Sequence, residues 1–407
     1  MSDETFVILG AGLAGAKAAI ELRERGFAGR VLLIGTESEL PYERPPLSKD
    51  YLRGDSERDD LYVESETFYQ EKEIELLLGH AVTEIDPGAR SVQLERHGAD
   101  ITYDALLIAT GSRPRRLQLP GAELQGIHYL RTIADSDAIG ERLEQGGHVA
   151  VVGGGWIGCE IAASARQKGL DVTLISDQPL PLESLGRQVG EFYRNVHASQ
   201  GVALVLDDGL AAFEGTADTV QRVRTESGRV VECDFVVVGA GAMPNVELGQ
   251  RAGLDTDNGI LVDPRLQTSV PGVFAAGDVA NQLHPFYERR VRVEHWANAQ
   301  SQGTHAAHSM RGSERGYKEL PYFFSDQYDV GMEYSGLPEQ SDRVVLRGDY
   351  DGGEFVAFWL RDGVVTAGMN VNVWDVNEHV QELIRSRRRV DEAKLTDPDT
   401  SLESLTG

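Results

Sequence analysis

Short, wholly apolar runs ending in glycine recur along this chain. Thr5-Phe6-Val7-Ile8-Leu9 leads into Gly10-Ala11-Gly12-Leu13-Ala14-Gly15, and His148-Val149-Ala150-Val151-Val152 leads into Gly153-Gly154-Gly155-Trp156-Ile157-Gly158. Runs of this length bounded by glycine predict strands buried on both faces, as in a parallel sheet. After the first run, apolar Leu13, Ala16, Ala18, Ala19 and Ile20 interleave with Lys17, Glu21, Arg23, Glu24 and Arg25. That pattern predicts a helix from about Leu13 to Arg25, stopped by Gly26. A second strand, Val31-Leu32-Leu33-Ile34, ends at Gly35 and is followed by Thr36-Glu37. The stretch from Tyr103 to Gly111 reads as a later buried strand ending in a turn.

The plan then repeats. A helix carrying Glu160, Ile161, Ala162 and Ala165 follows Gly158, Val172-Thr173-Leu174-Ile175 is the next strand, and Ser176-Asp177 follows it. The run Phe235-Val236-Val237-Val238 ends in Gly239-Ala240-Gly241, matching Ala109-Thr110-Gly111 in the first unit. A whole domain is therefore duplicated within the chain. Gly272-Val273-Phe274-Ala275-Ala276-Gly277-Asp278 is one more short strand ending in Gly-Asp. From about Leu320 onward, strand-like runs (344–346, 355–360, 364–366) flank a hairpin signal at Asp362-Gly363, and a helix with Val380, Leu383 and Ile384 follows. This predicts a small antiparallel α+β domain, with the polar tail from Asp397 to Gly407 loosely held.

Composition bounds this picture. A chain of 407 residues is long for one domain. A charged fraction of 26% is ordinary for a soluble protein, and no apolar run reaches the roughly 20 residues of a membrane span. The opening Met1-Ser2-Asp3-Glu4 lacks the basic segment of a signal peptide, so a cytoplasmic enzyme is expected. A net charge of −26 argues against nucleic acid and anionic membranes as partners. The two cysteines, Cys159 and Cys233, form no C-x-x-C pair, which argues against a disulfide framework, a cysteine-rich metal site or a dithiol redox centre. Cys159 is expected to be a packed small side chain.

Each glycine run is a G-x-G-x-x-G between strand and helix. Such glycines permit the tight turn and bring backbone N–H groups and a helix N-terminus to a pyrophosphate. Two of them imply two dinucleotides in one chain, and hence electron transfer between the two.

The chain carries GAGLAG at 10–15, RPPLSK at 44–49, ATGSRP at 109–114, YLRT at 129–132, GGGWIGCE at 153–160, AAGDVA at 275–280, VEHWANAQ at 293–300 and FFSDQYD at 323–329. In these stretches it resembles the FAD- and NADH-dependent ferredoxin reductases of bacterial oxygenase and cytochrome P450 systems, within the glutathione-reductase-like flavoproteins. RPPLSK together with FFSDQYD is the most specific pair, and is shared with apoptosis-inducing-factor-like proteins. The resemblance implies an α/β fold with two Rossmann-like dinucleotide-binding domains and a C-terminal α+β domain covering the flavin edge. The implied boundaries are 1–112 plus 242–318 for FAD, 113–241 for NAD(H) and 319–407 for the last domain.

It also implies cofactor-binding residues. These are Gly10, Gly12, Leu13, Ala14, Gly15, Thr36, Glu37, Arg44, Lys49, Val82, Ala109, Thr110, Gly111, Arg131, Gly153, Gly155, Trp156, Ile157, Gly158, Glu160, Ser176, Asp177, Gly241, Gly277, Asp278, Glu294, His295 and Trp296. Lys49 and Glu160 are the implied catalytic pair. The lysine's charge near the flavin would stabilise the reduced, anionic ring, and the carboxylate would pair the lysine when no nicotinamide is bound. Hydride transfer needs no general base, so the lack of a catalytic triad is no objection. No metal site is expected.

Two departures from the family pattern stand out. The family commonly places an acid directly after Gly35 and after Ile175; here Thr36 and Ser176 stand there, with Glu37 and Asp177 one position later. Asp177 would repel a 2′-phosphate, which favours NADH over NADPH. The stretch from Asn370 to Asn377 is unusual for the family and could alter which acceptor docks. The expected acceptor is a [2Fe–2S] ferredoxin or a rubredoxin, with the chain a monomer or homodimer. Arg289, Arg290 and Arg292, and the group Arg385, Arg387, Arg388 and Arg389, could offset the chain's acidity locally, or could simply be solvated. A disulfide reductase, or a cysteine-dependent NADH oxidase or peroxidase, is disfavoured because no cysteine lies near Ser48-Lys49. An NADH-responsive redox sensor like apoptosis-inducing factor stays open.

Overall fold

The computed structural model describes residues 3–95, 100–339 and 342–406, which form two compact units. The first comprises Met1–Arg44, Arg58–Arg113 and Ala242–Pro321; the second comprises Pro45–Glu57, Pro114–Gly241 and Tyr322–Gly407.

The first unit is built on five parallel strands in the spatial order Val273–Ala275, Ala105–Ile108, Thr5–Leu9, Arg30–Ile34, Ile74–Leu77. Phe6, Val7, Ile8 and Leu9 are all buried, so both faces of the central strand are covered. That is why the strand reads as an unbroken apolar run and not as an alternation. Helix Leu13–Glu24 packs on helix Trp296–Met310 at very short range, since a Cβ on Gly303 would overlap the Ala14 backbone. Two three-stranded sheets flank this core. One is antiparallel (Val82–Asp86, Ser91–Leu94, Ile101–Thr102) and the other mixed (Ile260–Val262, Ala280–His284, Arg289–Val291).

The second unit repeats the parallel sheet, in the order Ala203–Val205, Asp171–Ile175, His148–Val152, Phe235–Val238, Ile127–Tyr129. The difference lies in the outermost strand. Here it precedes the glycine run in the chain, whereas in the first unit it follows by more than one domain's length. Alternate side chains sort to opposite faces, as the two-residue period of a strand requires. Val149, Val151, Leu174 and Val237 join one cluster with Cys159, Ile161, Phe355, Trp359 and Met369. Ala150, Val152, Ile175 and Val238 join another with Phe213, Val220 and Val223 of a three-stranded antiparallel sheet.

The C-terminal segment of this unit is a five-stranded antiparallel sheet, ordered Tyr322–Gln327, Val330–Gly336, Val364–Val371, Glu354–Arg361, Arg343–Asp349. Asp362 and Gly363 both have positive φ (51° and 79°), the geometry a two-residue hairpin needs. Helix Asn377–Ser386 buries Val380, Leu383 and Ile384. The expectation of a loose tail is corrected. The Arg347 guanidinium donates to the carbonyls of Leu395, Asp397, Pro398 and Thr400, and Leu402 is buried. A polar composition hid this anchoring because the partners are backbone carbonyls, which carry no sequence signal. Among the described residues no helix is long and apolar enough to cross a membrane.

Candidate functional site

The two glycine runs are built alike, and each glycine has its own reason. Gly10 (φ +113°) and Gly153 (φ +112°) adopt a backbone that side chains rarely tolerate, and a Cβ there would overlap the backbone carbonyls of Ala109 and Gly239. A Cβ on Gly15 or Gly158 would overlap the carbonyl of Gly10 or Gly153. The middle glycines differ: a Cβ on Gly12 or Gly155 meets nothing within 4 Å. Both are N-caps without any side-chain cap, so the first backbone N–H groups of helices Leu13–Glu24 and Trp156–Gln167 have no side-chain acceptor from the cap. An anion fits there.

Around the first opening, Leu13 and Ala14 begin the helix and are buried. Thr36 and Glu37 follow the second strand. The Glu37 carboxylate accepts from Tyr42 Oη (2.6 Å) and Arg44 Nη2 (3.1 Å), and Arg44 Nη1 donates to Tyr42 Oη (2.8 Å). Burial alone would depress the Arg44 guanidinium, but Tyr42, Glu37 and Asp278 more than offset it and hold the charge. Ala109, Thr110 and Gly111 end the late strand, where Thr110 exchanges two hydrogen bonds with Asn245 (2.9 and 2.8 Å). Gly277 and Asp278 form a short turn; the Asp278 carboxylate accepts from Ser112 Oγ at 2.7 Å, and Gly277 N–H donates to Gln302. Glu294 accepts from Arg292 (2.5 Å), and His295 and Trp296 open the helix beyond it. Burial pushes the His295 imidazole down to about 4, with Asp278 opposing, so it stands neutral. Val82 starts the first strand of the antiparallel side sheet.

In the second unit, Gly153, Gly155, Trp156, Ser176, Asp177 and Gly241 line one cavity of about 1040 Å³, walled also by Glu183, Arg187, Glu226, Asp342 and Trp359. Ile157 is exposed beside it (43%), while Gly158 is buried beneath it. Trp156 packs edge-on against Phe323, with ring centroids 4.8 Å apart. Arg131 precedes helix Ile133–Gln145, and its backbone N–H donates to Asp135.

Also in this unit, the structure brings Lys49 and Glu160 together, 111 positions apart in the chain. Lys49 Nζ lies 2.8 Å from Glu160 Oε2, with the side chains only 10% and 6% exposed. Ser48 Oγ donates to the same oxygen (2.5 Å), and Ser325 Oγ donates to Oε1 (2.7 Å). The proline-rich segment is stitched in place by Ser136 Oγ on the Leu47 carbonyl, Ser164 Oγ on the Ser48 carbonyl and Tyr51 Oη on Asp137. Pro45–Ser48 form one 3₁₀ turn, and Lys49 caps the short helix Asp50–Arg53. The serines were not among the residues expected at the site. Ser48 and Ser325 sit inside RPPLSK and FFSDQYD, and that placement was the available signal.

Three further groups of residues singled out in the sequence have defined surroundings. Of the first arginine group, Arg290 donates to the carbonyls of Val262 and Asn281, and Arg292 donates to the Asp278 carbonyl and Glu294, so both carry hydrogen bonds internal to the fold. The asparagines from 370 onward hold a loop: Asn370 donates to Glu333 and to the Val373 carbonyl, and Asn372 bonds Gly331 N–H and the Gly353 carbonyl. Trp374 at its tip is 55% exposed. Cys159 and Cys233 lie in separate apolar clusters, and burial pushes both thiols up, Cys233 to about 12, so neither is a thiolate at neutral pH.

A duplicated nucleotide fold with open glycine cradles and a buried Lys–Glu pair defines a two-dinucleotide oxidoreductase. The chain belongs to the pyridine nucleotide-disulphide oxidoreductase family, whose model matches residues 4–303, with a reductase C-terminal domain matching 322–406. Within that family it is similar to the ferredoxin–NAD(+) reductase component of the anthranilate 1,2-dioxygenase system of Burkholderia cepacia, at 39% identity over 100% of both chains. The crystal structure of the ferredoxin reductase for the CYP199A2 system of Rhodopseudomonas palustris covers 100% of both chains with a TM-score of 0.96 at 34% identity. The reductase in the covalent putidaredoxin reductase–putidaredoxin complex matches with a TM-score of 0.95 at 34% identity, covering 100% of this chain and 98% of that one. Membership implies FAD and a pyridine nucleotide. The residues fit both, because at each helix N-terminus a middle glycine without a side chain leaves the backbone N–H groups accessible to a pyrophosphate.

Proposed function

We propose that this protein is an NADH-dependent ferredoxin reductase that feeds single electrons, through a [2Fe–2S] carrier, to a bacterial oxygenase. Bound FAD would supply the chemistry that couples a two-electron donor, NADH, to one-electron carriers. The domains are assigned as 1–112 with 242–318 for FAD, 113–241 for NAD(H), and 319–407 beside the reacting edge. The observation that carries the reading is the buried Lys49–Glu160 pair at 2.8 Å.

In this reading Gly10, Gly12, Ala14 and Gly15 hold the FAD pyrophosphate on the first helix N-terminus, and Asp278, kept in place by Ser112, accepts from the FAD chain. Gly153, Gly155 and Gly158 hold the NADH pyrophosphate. Asp177 accepts from the adenosine ribose and repels a 2′-phosphate. Lys49 supplies a fixed positive charge where the reduced ring gains negative charge, and Glu160 keeps that charge paired and oriented until nicotinamide arrives. Trp156 and Phe323 wall the approach and exclude water. The protein works in the cytoplasm, where NADH is regenerated.

The test is reconstitution. Heat-released flavin should identify as FAD at one per chain, and NADH should bleach a [2Fe–2S] ferredoxin under argon only when the protein is present. A cluster that stays oxidised with FAD-loaded protein and NADH would refute the assignment.

A further inference from the structure

Behind Glu160 lies a run of buried polar side chains that the proposed reaction does not use. Ser325 and Gln327 are two apart on strand Tyr322–Gln327, both 1% exposed, and His197 on helix Arg187–Ser199 is fully buried. Their distances are continuous. Ser325 Oγ is 2.7 Å from Glu160 Oε1, Gln327 Nε2 is 3.4 Å from Ser325 Oγ, His197 Nε2 is 3.0 Å from Gln327 Oε1, and His197 Nδ1 is 3.1 Å from Tyr328 Oη.

The donors in this run are fixed one by one, starting from the carboxylate. Ionised Glu160 only accepts, so Ser325 gives it its single proton. Ser325 must then accept, which aims the Gln327 amide nitrogen at it and turns the amide oxygen toward His197. An oxygen there requires a proton on Nε2. A neutral imidazole then accepts at Nδ1, so the Tyr328 hydroxyl donates. Burial supports the neutral ring, pushing His197 down to about 4 against a smaller opposing effect of Gln327. Burial likewise raises Tyr328 and keeps it a donor. Tyr328 itself sits at the tip of the hairpin with φ +59°, a conformation a tyrosine rarely adopts. The turn holds that backbone while its hydroxyl reaches His197.

We propose that His197 is a positioning residue for the reductase reaction: the chain Tyr328–His197–Gln327–Ser325, with every proton directed toward Glu160, holds the Glu160 carboxylate oriented against Lys49. This deepens the proposed function and rests on it. A histidine that merely filled the core would need no series of donors all ending on one carboxylate. A buried network in which each member is satisfied only when its neighbours are is sensitive to loss of any link.

The test uses FAD-loaded protein and reads the flavin midpoint potential by dye equilibration, together with the rate of flavin reduction by NADH. His197→Leu and Tyr328→Phe should each shift the potential in the same direction as Glu160→Gln. His197→Leu should slow flavin reduction about five-fold, as the loss of roughly one hydrogen bond implies. In a Glu160→Gln background neither substitution should have further effect. Equal shifts with and without Glu160 would overturn the inference, as would a shift from Glu160→Gln with none from the other two. No shift from Glu160→Gln would overturn the reading of the site itself. Because His197→Leu can compromise folding, ¹⁵N-histidine spectra of the unsubstituted protein at pH 7 provide a second arm. His197 should appear as the neutral Nε2–H tautomer, and Tyr328→Phe should perturb its Nδ1. An Nδ1–H tautomer or an imidazolium would overturn the chain.

Discussion

Replacing Lys49 by Met should destabilise the protein far more than removing both charges of its pair. The side chains of Lys49 and Glu160 are 10% and 6% exposed, with 2.8 Å between the charged atoms. At an effective dielectric near 20, their attraction is about 6 kcal/mol, set against the desolvation of both ions. Lys49→Met removes the attraction but leaves the carboxylate buried. Breaking one side of such a pair costs about 3–5 kcal/mol. Ser48 and Ser325 still donate to Glu160, which places the expected loss at the lower end, about 3 kcal/mol. Lys49→Met with Glu160→Gln removes both charges and should recover most of that loss, since neutral replacement of buried pairs is often tolerated. Urea unfolding of the FAD-stripped protein, followed by tryptophan fluorescence, reads this without contributions from ligand binding. Equal loss in the single and double variants would refute the reasoning, because the cost would then lie in packing and not in an unpaired charge. FAD-loaded Lys49→Met should keep its flavin yet be reduced by NADH more slowly.

Three more predictions rest on other parts of the structure. Gly10→Ala should fail to fold, since its Cβ would overlap the Ala109 carbonyl, whereas Gly12→Ala should fold with a near-normal urea midpoint but purify colourless; a yellow Gly12→Ala would contradict the cradle. Asp177→Ala should weaken NADH more than NADPH, and an unchanged preference in paired titrations would reject its role. His197 binds a proton near 6.5 when unfolded and near 4 when folded, so its contribution, about 3 kcal/mol, is complete above pH 6.5 and is lost as pH falls toward 4. The urea midpoint of the unsubstituted protein should therefore fall more steeply over that window than that of His197→Phe, and parallel profiles would refute it.

Much of this was legible because the chemistry of a nucleotide turn is written in consecutive residues. Gly10, Gly12 and Gly15 each answer a separate backbone demand, and the same three demands recur at Gly153, Gly155 and Gly158. The apolar run before each is unbroken because both faces of a central parallel strand are covered. Beyond the Lys49–Glu160 pair, which the family resemblance implied, long-range pairing was not legible. Nothing in the spacing of Ser325, Gln327 and His197 announces that they converge on Glu160, since two lie on a strand and one on a helix over a hundred positions away. The hydrogen bonds of Arg290 and Arg292 were hidden because sequence shows a guanidinium but not the carbonyls it serves. The same blindness made the tail beyond Asp397 look free, when four carbonyls of that region converge on Arg347.

The central claim is that electrons pass from NADH through this protein to a one-electron carrier. Anaerobic stopped-flow spectroscopy of the FAD-loaded protein tests it most directly, mixing first with NADH and then with a [2Fe–2S] ferredoxin. The account predicts rapid bleaching of the flavin by NADH, slower bleaching by NADPH, and rapid reoxidation by the ferredoxin. Sluggish bleaching, or a long-lived NADH complex that the ferredoxin does not discharge, would contradict it and identify a redox sensor instead.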